Sequence, residues 1–134
     1  MPKLYIGCAL TNAPESFIVE VELLKETLAC DFEVLAFIGK TQGTNVDVYN
    51  WDIQHCVTMC DIMIAICDYP SLGLGYEIAT AVEAQKKPVL ALAHNNASVS
   101  RLILGVTRPN YLFRRYSALS DVPVMVNKFV AALI

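Results

Sequence analysis

The stretch Asp68-Tyr69-Pro70-Ser71-Leu72-Gly73-Leu74-Gly75-Tyr76-Glu77 sets one carboxylate behind two glycines, at the junction of a strand and a helix. Open α/β sheets keep their ligand sites at such junctions. Upstream, Asp61 to Cys67 is a short, nearly unbroken apolar run, as in strands buried on both faces. Downstream, Ile78, Ala79, Ala81, Val82 and Ala84 form an apolar helical face. That pattern places Glu77 in the first turn of the helix, where backbone amides and the helix dipole favour a negative charge. A carboxylate kept ionised at the mouth of a cleft can act as a nucleophile toward an electrophilic carbon. The plainer alternative is a tight turn made by Gly73 and Gly75, followed by an ordinary acidic first turn.

The elements that position this motif alternate. Lys3 to Leu10 reads as a first strand, with Thr11 or Asn12 as cap and Pro14 as opening residue of a helix reaching about Cys30. Glu33 to Ile38 reads as a second strand and Gly39 to Val46 as a polar loop. Val48 to Cys60 forms a helix leading into the strand at 61–67. After the Glu77 helix, Lys86-Lys87-Pro88 stops the chain and Val89 to Ala93 makes a fourth strand. A short helix near Ser98 to Leu104, a short strand at Tyr111 to Phe113 and a closing helix from Asp121 to Ile134, capped by Ser120 or Asp121, complete the order. Strands alternating with helices imply right-handed parallel crossovers. The expected fold is α/β: a three-layer Rossmann-like or flavodoxin-like arrangement, with about five parallel strands flanked by helices. Loops at the carboxyl ends of the strands then gather Ala9 to Asn12, Gly39 to Asp47, Asp68 to Glu77 and His94 to Ser100 around a switch point.

With 134 residues and no repeat or linker, the chain fits one domain spanning 1–134. An apolar share of 55% and a mean hydropathy of +0.46 point to apolar surface at a subunit interface, hence a homo-oligomer. Charged and polar residues interrupt every run long enough to span a bilayer, so no membrane partner is expected. Met1-Pro2-Lys3-Leu4 shows no signal-peptide pattern, and the expected location is cytoplasmic. A net charge of −3 gives no footprint for a long nucleic acid. The five cysteines read as reduced and mostly buried. His55, Cys56 and Cys60 lack the further ligands a zinc site needs.

Two phosphate-binding patterns fail. Gly39-Lys40-Thr41 would end a P-loop whose first glycine falls at Val34. Gly73 and Gly75 follow the third strand rather than the first, and the third glycine of a dinucleotide fingerprint falls at Ile78. No cofactor is implied.

The run DIMIAICDYPSLGLGYEIATAVEAQKKPV, Asp61 to Val89, resembles the nucleoside 2-deoxyribosyltransferase family and the related 2-deoxynucleoside 5-monophosphate N-glycosidases. Both carry a motif like SxGxGYE followed by a helix and Lys-Pro. Leu4-Tyr5-Ile6-Gly7 is similar to the family's first strand, and Ser100 to Gly105 to its late helix. The resemblance implies that Glu77 is the nucleophile that attacks the anomeric carbon of deoxyribose. It implies Tyr5 and Gly7 beside the sugar, and Asp68, Ser71, Gly73, Gly75 and Ser100 in substrate binding, Ser100 reaching a 5-phosphate from a neighbouring subunit. Cleaving an N-glycosidic bond passes through an oxocarbenium-like centre, so a second acid should protonate or hold the departing base. Asp52 is the choice, with Asp47 and Asp68 as substitutes. Family spacing from this aspartate to the strand-opening one is typically one residue shorter than Asp52 to Asp61. One residue turns a helical side chain by about 100°, so Asp52 needs a distorted first turn to point inward.

The arginine that the monophosphate-cleaving branch carries after its first strand is absent; Thr11-Asn12-Ala13-Pro14 stands there. Arg101 and Arg108 are candidate replacements. Trp51 and Tyr49 could stack on a base or line an interface. The leading expectation is a transferase moving deoxyribose from a nucleoside to a free purine or pyrimidine. The second is a hydrolase of nucleosides or their 5-monophosphates, and the third a non-catalytic nucleotide sensor. Gly75 is expected to need a positive φ or a close backbone approach to ligand.

Overall fold

The computed structural model describes residues 1–37, 39 and 42–133. Ile38 at the expected end of the second strand, Lys40 and Thr41 of the rejected phosphate loop, and Ile134 lie outside them. Five strands form one sheet: β1 (Lys3–Cys8), β2 (Glu33–Leu35), β3 (Ile62–Ile66), β4 (Val89–His94) and β5 (Tyr111–Tyr116). Their spatial order is β2-β1-β3-β4-β5, and every pairing is parallel. This is the flavodoxin-like order, whose switch point lies between β1 and β3.

The period of two along each strand divides the core. Leu4, Ile6, Ile64, Ile66, Leu90 and Leu92 face one layer, made by α1 (Glu15–Leu28) and α5 (Val122–Ala132). Phe17, Val21, Leu24 and Leu28 on α1, and Val122, Val126 and Val130 on α5, supply its helical side at spacings of three and four. Tyr5, Met63, Ala65, Ala91 and Ala93 face the other layer. There α2 (Asn45–Tyr49) continues as a π-helix over Asn50–Val57, and α3 (Leu72–Ala79) continues as a second π-helix over Thr80–Ala84. The short α4 (Arg101–Leu104) lies between β4 and β5. Among the described residues, no helix is long and apolar enough to cross a membrane.

Several boundaries depart from expectation for local reasons. Pro14 occupies the cap position of α1 with no side-chain bond, while Asn12 donates its amide to the Pro70 carbonyl at 3.3 Å. The second helix begins at Asn45 because Thr44 and Asp47 form a reciprocal capping box. Lys86, at φ 55°, takes the left-handed conformation that turns the chain after the second π-helix. β5 runs on through Arg114 and Arg115, whose exposure on an edge strand hides the strand pattern. Asp121 accepts from the Ala118 amide at 3.2 Å, closing a 3-10 turn ahead of α5.

Candidate active site

Alternation along β1 puts Tyr5 and Gly7 on the face that looks toward α3. The Tyr5 hydroxyl donates to Glu77 Oε2 at 2.6 Å in a buried contact. The other carboxylate oxygen lies against Gly7: a Cβ there would stand 3.1 Å from Glu77 Oε1, 2.9 Å from Leu74 Cδ1 and 3.3 Å from Met63 Cε. Gly7→Ala should therefore displace Glu77 and lose about 1–3 kcal/mol of stability. Urea melts and assays of the variant would show both losses together; a variant with normal stability and activity would mean that Leu74 and Glu77 can move aside.

Glu77 is only 9% exposed, and with Lys25 it is one of two buried charged side chains among the described residues. Burial pushes its carboxyl up to about 7; the Tyr5 hydrogen bond opposes this, the charge of Asp52 adds to it and that of Lys25 opposes it. Burial, reinforced by the Glu77 charge, holds the Tyr5 phenol far above its ordinary range, so Tyr5 stays a donor. The Lys25 ammonium sits 3.8 Å from the centroid of the Phe37 ring and 3.1 Å from Glu22 Oε1, and Phe37 meets the Tyr5 ring edge-on at 6.5 Å. A cation, an aromatic ring, a phenol and a carboxyl thus follow one another across the edge of the sheet. Lys25 breaks the apolar spacing of α1, the one sequence signal that could have drawn attention to it.

The expectation for Glu77 itself needs correction. Ser71, not the glycines, starts α3: its hydroxyl accepts from the Leu74 amide at 3.0 Å. Glu77 therefore lies in the second turn, beyond the free amides, and burial raises its proton affinity instead of the helix dipole lowering it. Gly73 and Gly75 are helical, neither has a positive φ, and a Cβ would meet nothing closer than 3.8 Å at Gly73 and nothing within 4 Å at Gly75. Strain at Gly75 is absent, so Gly75→Ala should stabilise the protein by about 0.5–1 kcal/mol. A lowered melting temperature for that variant would contradict the helical placement.

Asp52 reaches the site from the first π-helix, half-buried, and its charge raises the proton affinity of Glu77, Tyr5 and Cys56. The two substitutes do not. Asp47 is held by Thr44, whose backbone and hydroxyl keep its carboxyl below the usual range. Asp68 turns to the other side of the sheet, where it accepts from the Tyr116 hydroxyl at 2.5 Å and the His94 amide at 3.2 Å. It lines a groove of about 720 Å³ with Tyr69, His94 and Tyr116, away from Glu77.

Ser71, Gly75 and Ser100 line a third place. This is a cleft of about 840 Å³, mostly apolar, between α3 and α4, and neither Glu77 nor Tyr5 is among its walls. Ser100 caps α4 by accepting from the Leu102 amide at 3.3 Å. Gly73 lines none of these cavities. Trp51 donates its indole N–H to the Ala36 carbonyl at 2.6 Å and stacks on His55 at 4.0 Å, fastening the segment after β2 to the π-helix. Arg108 is paired with Glu83 at 2.7 Å on the surface. Among the described residues no three His, Cys, Asp or Glu side chains stand close enough to hold a metal ion.

No family model matches the sequence. Curated relatives from three organisms share one name, given provisionally: 2'-deoxynucleoside 5'-phosphate N-hydrolase 1. The protein of Thermofilum pendens is 38% identical over 89 residues, 65% of this chain and 59% of its own length. That of Syntrophotalea carbinolica is 39% identical over 74 residues, 53% and 50% respectively, and that of Methanosarcina barkeri 39% over 92 residues, 67% and 55%. The chain is a relative of the nucleoside 2-deoxyribosyltransferase family. Its match spans between half and three fifths of those curated relatives. The solved structure of a CMP N-glycosidase from Clostridium botulinum superposes on the fold with a TM-score of 0.70, covering 95% of this chain and 98% of its own at 20% identity. Family and fold thus agree with the five-stranded parallel sheet described above.

Proposed function

We propose that the chain cleaves the N-glycosidic bond of 2-deoxynucleoside 5-monophosphates with water as acceptor, through a covalent ester on Glu77. The observation that carries this reading is the buried Glu77 carboxyl, held at 2.6 Å by Tyr5 and facing the charge of Asp52. Two carboxyls that push each other's proton affinities apart are the usual equipment for glycoside cleavage. With its carboxyl near 7, Glu77 is half-ionised at neutral pH. Its proton leaves before attack. Glu77 then bonds to the anomeric carbon as the C–N bond breaks, and Asp52 holds or protonates the departing base. Water next attacks the same carbon, losing a proton to the Asp52 side of the site and releasing Glu77. The three relatives named as N-hydrolases support water over a second base as acceptor. Tyr5 would orient Glu77 and leave the sugar face open.

Transfer to a free base is the second reading, supported by Thr11-Asn12-Ala13-Pro14 where the monophosphate-cleaving branch has its arginine; Asn12 is engaged with Pro70. We also infer that the chain forms a homo-oligomer through the α3–α4 face, where Leu72 is 96% exposed and Leu102 80%. In this reading Ser71 and Ser100 belong to a phosphate site completed by the second copy, and light scattering of a monomer at high concentration would contradict it. Chromatography after incubation with deoxynucleoside 5-monophosphates, with and without a free base, tests the reaction. Free base plus deoxyribose 5-phosphate is the expected outcome; a new deoxynucleoside 5-monophosphate in place of deoxyribose 5-phosphate would favour transfer, and unchanged substrate would refute both.

A further inference from the structure

The π-helix at Asn50–Val57 carries Asp52 in its first turn. A bond from residue i to i+5 puts one more residue in each turn than an α-helix has, and long runs of it are rare. Ile53, Cys56 and Val57 anchor the segment in the core beneath Tyr5, and Cys60 follows them. With Cys56, Val57 and Cys60 fixed, returning one turn to α-helical bonding rotates everything upstream by one residue, about 100°. Asp52 would then face away from Glu77.

Side chains at the end of the segment hold the wider register. The Thr58 hydroxyl donates to the Ile53 carbonyl, five residues back, at 2.9 Å. It accepts from the Gln85 side-chain amide at 2.9 Å, which comes from the residue after the second π-helix. Lys87 donates to the carbonyls of Thr58 at 2.6 Å and Cys60 at 2.5 Å. Gln85 makes this bond although its own Oε1 is buried with no hydrogen-bond partner among the described residues. An unsatisfied buried oxygen is costly, so the pairing to Thr58 fixes which way the amide points.

We propose that the Thr58 hydroxyl, held by Gln85, fixes the π-helical register that turns Asp52 toward Glu77 and Tyr5. Thr58 is thus a positioning residue for glycosidic cleavage. The inference rests on the function proposed above for Glu77 and Asp52, but its structural half can be read without substrate. The groups whose charges act on or respond to Glu77 are Tyr5 and Cys8 from β1, Asp52 and Cys56 from the π-helix and Lys25 from α1. Only Asp52 rides on the register in question, because Cys56 is one of the segment's buried anchors.

The test compares Thr58→Val, Thr58→Ser and a deletion of the exposed Gln54, which removes the extra residue and lets the segment close as an α-helix with Asp52 still inward. Thr58→Val should lower kcat about ten- to a hundredfold, the lower range for an acid group out of place, with KM little changed. In the same variant the Glu77 carboxyl, followed by carbon NMR, should titrate below its wild-type value near 7. Thr58→Ser should restore both. Deletion of Gln54 should keep most of kcat and make Thr58→Val silent. Unchanged kcat and titration in Thr58→Val, failure of Thr58→Ser to rescue, or an equal loss from Thr58→Val in the deletion background would each overturn the proposal. If the wild type cleaves no nucleotide while the Glu77 titration still moves in Thr58→Val and returns in Thr58→Ser, the positioning stands and the glycosidase reading fails.

Discussion

Replacing Glu77 with Gln is expected to remove turnover, on the order of 10⁴-fold or more in kcat, while making the protein more stable at pH 8. The loss follows from the role proposed for Glu77: a neutral amide cannot form the ester, and knockouts of covalent nucleophiles commonly cost that much. The gain follows from linkage. Folding raises the carboxyl from its ordinary 4.5 to about 7, so the folded chain holds the proton more tightly than the unfolded chain. The stability tied to that proton is fully present below about pH 4.5 and disappears as the pH rises through 7. Above that, the ionised buried carboxylate costs the fold about 3 kcal/mol. Gln keeps an acceptor for the Tyr5 hydroxyl and carries no charge. The melting temperature of Glu77→Gln should therefore exceed that of the wild type by several degrees at pH 8 and match it near pH 4. Equal melting temperatures across that range would mean that Glu77 is not buried as a strained acid.

Asp52→Asn should have the second-largest effect, a fall of about 10²–10³-fold in kcat, the usual contribution of a positioned acid or base. Its signature is in the pH profile. The charge of Asp52 raises the proton affinity of Glu77, so removing it lets Glu77 ionise at lower pH. The acidic limb of the profile, which reports ionisation of the nucleophile, should move down while the plateau falls. A lower plateau with an unmoved limb would show that Asp52 does not act on Glu77. Lys25 works in the opposite direction, so Lys25→Met should move the same limb upward.

The parallel sheet was legible because apolar runs of strand length alternate with helical spacings, and that alternation forces parallel crossovers; its order was not, and β2-β1-β3-β4-β5 decides for the flavodoxin-like of the two alternatives. Element ends were less legible where side chains decide them. Glycines inside α3 read as a turn, although Ser71 ahead of them carried the cap signal. The polar residues of β5 masked half of an edge strand. In the site, Tyr5, Gly7, Asp52 and Glu77 could be found from motif and resemblance. Asp68 could not be separated from them, because a carboxylate just past a strand can face either layer, and Tyr116 draws it to the far one. The π-helices leave no trace in composition or periodicity. The one-residue excess between Asp52 and Asp61 was the only sign of the first, and it called for the distortion beside which Thr58 and Gln85 are bonded.

The central claim is a covalent ester on Glu77, and the stereochemistry of capture tests it most directly. Wild-type protein would be incubated with a deoxynucleoside 5-monophosphate in buffer containing methanol, and the anomeric configuration of the methyl deoxyribosyl phosphate read by proton NMR. Two displacements at the anomeric carbon return the β configuration of the substrate, which is the expected result. A product of α configuration would show a single direct displacement by solvent, with Glu77 acting as a base, and would contradict the account.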